Sequence, residues 1–317
     1  MKKLFVLLSA CLLAGAVYAA DKSTNGKANA SAKKAFVEMV IVEDANYPSG
    51  KQDNQLTYGV AGFLGGEPKV TTLTYEQAKQ DPKLAQIDYS FLPVYLIKKT
   101  PEWGKKLEQP LQAGYIQQNE NYYILLHQTR TGVYQNKEAK PGVLEIFVMS
   151  QCPYGVMAEG LVIEGKNAGK LPADKTIRLR YIVNYNKDTK EFQSLHGSAE
   201  WEEDVRQLLI AKYYPEKLWK YLEIRNKDYR SSRWDKAMKE AGINANKINK
   251  KFDTEGLELL QAEAAYVQEY GIGASPSFLW EGKEVLDFGT VSQKPGLEFL
   301  DPSKGKQGSA TAPAGSC

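Results

Sequence analysis

The sequence predicts an α/β chain of two tandem units, each running strand, helical stretch, strand, helix, X-Pro, strand, strand. The first observation behind this is the nearly continuous apolar run Val143-Leu144-Glu145-Ile146-Phe147-Val148-Met149, the pattern of a central parallel strand covered on both faces. The second is that strand-like and helix-like segments alternate twice along the chain, as βαβ units require. The third is Gln135 to Gly142, a charged stretch closing on Pro141 and Gly142, which reads as the linker between the two passes.

In the first unit, residues 36–135, the strand candidates are Phe36 to Val42, Lys69 to Tyr75, Val94 to Ile97 and Tyr122 to His127. Glu76 to Gln86 has the residue types of a short helix, and Leu92-Pro93 introduces the third strand. In the second unit, residues 143–300, the apolar strand is followed directly by Ser150-Gln151-Cys152-Pro153-Tyr154-Gly155. Ile177 to Tyr185 alternates polar and apolar residues as a half-buried strand does. A long helical stretch from about Ser198 to Tyr270 is broken near Pro215, Tyr229 and Gly242-Ile243-Asn244, and Ser275-Pro276 then opens the strand Ser277 to Trp280.

The chain ends have another character. Met1-Lys2-Lys3, the apolar run Leu4 to Val17 and Tyr18-Ala19-Ala20 together read as a cleaved secretory signal peptide over residues 1–20. Leu8-Ser9-Ala10-Cys11 would suit lipid attachment at Cys11, but processing there would cut the apolar region in half. The run is too short for a comfortable membrane span. Residues 21–35, rich in Ser, Asn, Ala, Lys and Gly, form a flexible leader, and residues 301–317 a flexible tail ending in Cys. The expected location is periplasmic or secreted. The formal charge of +3 falls to about +1 without Lys2 and Lys3, so neither nucleic acid nor another electrostatic partner is implied.

Of the three cysteines, only Cys152 and Cys317 remain after the expected processing, too few for a disulfide framework in an exported chain. A thiol reacts as the thiolate, and a cysteine at the junction of a strand and a helix is favoured as an anion by first-turn amides and the helix dipole. Pro153 fits that placing, because proline is preferred at the first helical position. The blander reading is a small buried residue at a strand end.

The segment Phe147 to Gly155 resembles the active site of thioredoxin-fold oxidoreductases, where Cys-Pro-x-Cys is usual. The helical stretch before Ser275-Pro276 makes the second unit similar to the DsbA-like branch. The resemblance implies two tandem thioredoxin-like domains, the second with a DsbA-like helical insertion and the first degenerate, with Asp44-Ala45-Asn46-Tyr47 in place of a redox motif. It also implies that Ala274-Ser275-Pro276-Ser277-Phe278 is the loop carrying a cis-proline against the reactive cysteine. The ordinary alternative is a trans proline beginning a strand. Leu195-His196-Gly197-Ser198-Ala199-Glu200 faintly resembles the His-Gly-x-x-Glu core of gamma-interferon-inducible lysosomal thiol reductases, although Ser194 and Trp201 stand where that family has cysteines. His196 is read as a loop or helix-start residue more readily than as a base.

Gly155 holds the place of the family's second cysteine. A dithiol cycle inside the motif is thereby excluded, and Gly155→Cys is the change expected to restore one. The expected function is that of an exported thiol-disulfide oxidoreductase or isomerase-like protein forming mixed disulfides through a single nucleophile, Cys152, with Pro153, Tyr154, Gly155, Ser275 and Pro276 shaping the active-site loop. The alternative is a non-catalytic module that binds peptides or a partner. Protein disulfides or thiols, or a redox partner protein, are the expected partners. Release of the Cys152 adduct falls to glutathione or another small thiol, to a partner, or to Cys317, whose tail of about 15 residues has a reach of about 20 Å. The plainer reading of Cys317 is a free thiol or an intermolecular crosslink. No phosphate loop, paired metal-ligand motif or Ser/His/Asp set is present, so no metal or other cofactor is expected.

Overall fold

The computed structural model describes residues 35–126, 131–304 and 317, and the chain divides into two compact units, 1–137 and 138–317. The expected signal peptide with Cys11, most of the leader, and His127 lie outside the described residues.

The strands of unit 1 are β1 (Phe36–Glu43), β2 (Glu67–Thr74), β3 (Phe91–Leu92), β4 (Val94–Lys98), β5 (Gln117–Gln118), β6 (Tyr122–Leu125) and β7 (Gly132–Tyr134). Its helices are α1 (Asn54–Leu64), α2 (Tyr75–Gln80) and α3 (Pro101–Gln112). Five strands form a sheet in the order β2-β1-β4-β6-β5, with β1 and β2 parallel and β4 antiparallel to β1. The crossover helix α1 starts at Asp53, whose carboxylate accepts from the N–H groups of Gln55 and Leu56, and ends at Gly65 with φ 86°. Val37, Met39 and Ile41 of β1 pack with Val60, Ala61 and Leu64 of α1. The helix expected over 76–86 stops at Gln80, because Pro82 disfavours helical backbone at Asp81. After β1 the chain enters a turn in which Asn46 N–H donates to Asp44 Oδ1 (2.9 Å), so the Asp44–Tyr47 segment does not begin a helix.

Unit 2 has β8 (Val143–Val148), α4 (Pro153–Asn167), β9 (Thr176–Tyr181), β10 (Asn184–Asn186), β11 (Glu191–Gln193), α5 (Ser198–Tyr213), α6 (Leu218–Arg225), α7 (Trp234–Glu240), α8 (Ala245–Lys251), α9 (Leu257–Tyr270), β12 (Ser277–Trp280), β13 (Glu284–Leu286) and α10 (Phe288–Val291). Its strands are ordered β9-β8-β12-β13, with β8 and β9 parallel and β12 antiparallel to β8 and β13. Alternation along β8 sends Leu144, Ile146 and Val148 into a core with Met157, Ala158, Leu161 and Val162 of α4. Phe147, on the other face, stacks on Tyr266 of α9 at 6.0 Å between ring centres. Helices therefore cover both faces of β8, which is why its sequence is apolar almost throughout. The strand expected over 177–185 ends at Tyr181, and the chain turns into the β10–β11 pair, where Asn186 Oδ1 accepts from the N–H groups of Asp188 and Thr189.

The helical stretch breaks at a turn over Pro215–Lys217, another over Asn226–Asp228, and the α7–α8 junction, where Gly242 has φ 72°. Its core gathers Val205, Leu209, Tyr221, Met238, Ile248 and Leu260. Of the tail expected to be flexible over 301–317, residues 305–316 lie outside the described residues; Pro302–Lys304 form a turn, and Cys317 is bonded to Cys152.

Candidate active site

Cys152 is the residue that caps the N-terminus of α4, with φ −80° and ψ 123°, and Pro153 is the first helical residue. The turn from β8 into α4 is closed by Cys152 N–H donating to Met149 O (3.0 Å) and Val156 N–H to Cys152 O (2.9 Å). The amides at the second and third helical positions, where an N-terminal cap finds its donors, belong to Tyr154 and Gly155.

Cys152 is disulfide-bonded to Cys317, with the Cα atoms 6.1 Å apart and the residues separated by 165 positions. Cys317 is also fixed through its backbone: its N–H donates to Ser275 O (2.9 Å), and its carbonyl accepts from Ser275 N–H (3.4 Å). This reciprocal pair is what a residue makes when it adds to a strand edge. The Ser275–Pro276 peptide is cis, as is Leu92–Pro93 in unit 1. Ser275 O lies 3.4 Å from Cys152 Sγ, so one residue touches both cysteines.

The Ser275 hydroxyl, fully buried, accepts from Met149 N–H (2.9 Å). A Cβ placed on Gly155 would stand 2.7 Å from that hydroxyl oxygen and 3.1 Å from Met149 O. The space where the second cysteine of a two-cysteine motif would begin is therefore filled. Gly155→Cys, expected from sequence to restore a local dithiol if the geometry is intact, would have to displace that hydroxyl.

Sequence reasoning missed the role of Glu200. It lies in the first turn of α5, is fully buried, and accepts through Oε2 from Gln151 N–H (3.1 Å), while its backbone carbonyl accepts from the Ser150 hydroxyl (3.1 Å). Glu200 thus pins the two residues that precede Cys152. Its Oε2 also pairs with His196 Nδ1 at 2.6 Å, and Oε1 accepts from His196 N–H at 3.3 Å. The loop reaches this geometry through Gly197, whose φ of 91° with ψ −167° suits only glycine. The available signal was an acidic residue at the third helical position, where the dipole and free amides favour a carboxylate.

Beneath the site lie further buried acids. Burial pushes the Glu159 carboxyl up to about 8, against a hydrogen bond from Asn226 (2.6 Å) and with repulsion from Glu203. Asp204 is held well above the carboxylate range by burial, opposed by Ser150 and reinforced by Glu200 and Glu203. Burial thus favours the protonated form of both acids in the folded chain. Tyr213, Tyr214 and Trp219 pack partly buried against the helical core, and Tyr221 is fully buried within it. Among the described residues no cluster of His, Cys, Asp or Glu is placed to hold a metal ion, and no helix is long and apolar enough to cross a membrane.

The chain is similar to DsbA-like thiol-disulfide oxidoreductases. Among solved structures, DsbA of Klebsiella pneumoniae aligns at 16% identity over 54% of this chain and 89% of that one, with a TM-score of 0.37. DsbA of Proteus mirabilis aligns at 14% identity over 56% and 92%, with a TM-score of 0.37, and oxidised BdbD of Bacillus subtilis at 13% over 50% and 86%, with a TM-score of 0.39. No family model and no curated protein matches the sequence.

Proposed function

We propose that this chain is an exported, periplasmic or secreted thiol-disulfide oxidoreductase of two tandem thioredoxin-like domains, 36–135 and 143–300, working through Cys152 and Cys317. The observation that carries the reading is the pairing of Cys317 with Ser275 by two backbone hydrogen bonds while its sulfur is joined to Cys152 at the start of α4. Cys152 is the thiolate of the pair, favoured by the first turn of a 15-residue helix. Cys317 supplies from the tail the second thiol that Gly155 denies to the motif. Mixed disulfides with protein thiols are the intermediates, and the first domain, 36–135, which has no cysteine, binds or orients partners.

Rate measurements of alkylation against pH test this in reduced Cys317→Ser protein, with mass spectrometry locating the label. Cys152 is expected to react at neutral pH at least about ten-fold faster than a model thiol. A rate no faster than the model thiol ends the proposal. The second reading, a peptide-binding module, draws on the same pairing at Ser275, since an extended peptide can make those two bonds without any sulfur chemistry. Replacing both Cys152→Ser and Cys317→Ser separates the two: a binder keeps its partner, whereas an exchanger loses its mixed disulfides.

A further inference from the structure

We infer that while the Cys152–Cys317 bridge is closed, a partner thiolate enters at Cys317 and not at Cys152, so the tail cysteine carries the partner and Cys152 is the sulfur that leaves. The inference rests on the exchange chemistry proposed above and fixes its order. It exchanges the roles that the motif alone suggests, in which Cys152 meets the partner and Cys317 resolves.

Access gives the first argument. A thiolate must reach the sulfur it attacks. Cys152 is 0% exposed in the bridged form, whereas Cys317 is partly exposed. The second argument is the leaving group, since the sulfur that forms the more stable thiolate departs faster. Attack at Cys317 expels Cys152 at the N-terminus of α4, whose second and third helical amides are those of Tyr154 and Gly155. Attack at Cys152 would instead expel Cys317, which stands in no described helix. The third argument is the docking edge. Both backbone polar groups of Ser275 are already taken by Cys317, so an incoming chain cannot lie along that edge beside Cys152 while the bridge holds.

The chemistry balances. A partner thiolate attacks Cys317 Sγ, the bond between Cys152 and Cys317 breaks, a partner–Cys317 disulfide forms, and Cys152 leaves as thiolate. A second partner thiolate then attacks the partner sulfur of that adduct, which forms the partner's disulfide and releases the Cys317 thiolate. The partner has lost two electrons and two protons, and the cysteine pair has gained them. A partner with a single thiol is returned unchanged when the Cys152 thiolate attacks Cys317 and recloses the bridge. Run in reverse, Cys317 attacks a partner disulfide and Cys152 resolves it.

The test mixes oxidised full-length protein with reduced glutathione, quenches with acid at successive short times, and maps the adduct by mass spectrometry after proteolysis. Extrapolated to zero time, the adduct is expected on Cys317 in about ten-fold or greater excess over Cys152, with Cys152 recovered as a free thiol. An adduct mainly on Cys152 overturns the inference and leaves the exchange reading standing. No adduct at either cysteine, or no bridge between them in the oxidised protein, overturns the exchange reading and the inference together.

Discussion

Ser275 is the residue at which the departures from a two-cysteine motif meet. Its hydroxyl accepts from Met149 N–H and occupies the space beside Gly155, while its backbone holds Cys317. A side chain at position 155 must turn the hydroxyl away, leaving a buried N–H unpaired at about 1–3 kcal/mol. Gly155→Cys is therefore expected to lower the urea midpoint, and to lower it less in a Ser275→Gly background, where that hydrogen bond is already absent. A double-mutant cycle measures the coupling, and a value near zero would show that the two residues do not compete for the space. Glu159 makes a second prediction at this scale. With its carboxyl raised to about 8, it stays protonated in the folded chain while the unfolded chain ionises near 4.5. The folded state thus binds the extra proton between those values, and stability falls as pH rises through the window, by about 1.4 kcal/mol per pH unit for one such group. Glu159→Gln should stabilise the protein more at pH 8 than at pH 5 in paired urea titrations.

Among the elements, β8, β9 and α9 are tied by ions rather than by apolar contact alone. Arg180 of β9 pairs with Glu145 of β8 at 2.6 Å and with Glu263 of α9 at 2.8 Å, and Tyr266 donates to Glu145 at 2.7 Å. Both carboxylates are buried, and without the guanidinium Glu145 would keep only Lys140 (3.4 Å) and the Tyr266 hydroxyl, and Glu263 only the Tyr181 N–H (3.2 Å). Arg180→Met is expected to destabilise unit 2 by about 3–5 kcal/mol, read as a fall in its urea midpoint. Replacing all three charged residues with apolar ones should recover much of the loss, because the pair itself adds little over good packing. The same economy of contact governs the turn into α4, where one residue of α5, Glu200, holds both Ser150 and Gln151.

For the molecule as a whole, the bridge closes a loop across 165 positions, and both of its cysteines lie in unit 2. Constraining the unfolded chain over such a loop stabilises the folded form by up to about 5 kcal/mol. Cys317→Ser should lower the unfolding midpoint of unit 2 and leave that of unit 1 unchanged. Reduction of the native protein should reproduce the shift. An equal shift in both units, or none in either, would argue against the bridge as a constraint on unit 2.

The placing of Cys152 was legible in the sequence because its causes are local. An apolar strand, a proline at the first helical position and a glycine where a cysteine is usual all sit within a few residues of one another. The breaks in the helical stretch were legible for the same reason, since Pro215 and Gly242 act on their own backbone. The limits of α2 and β9 were misjudged where a neighbouring turn competed with residue preference, at Pro82 and at Asn186. What the sequence could not supply are the contacts that cross the fold. Glu200 meets Gln151 from 49 positions away, Ser275 meets Met149 from 126, and Cys317 meets Cys152 from 165. Side-chain chemistry and local backbone preference determined that a thiol would stand at a helix start. Only the tertiary structure decided which residues surround it, because contacts between distant segments are fixed by how the sheet and helices pack.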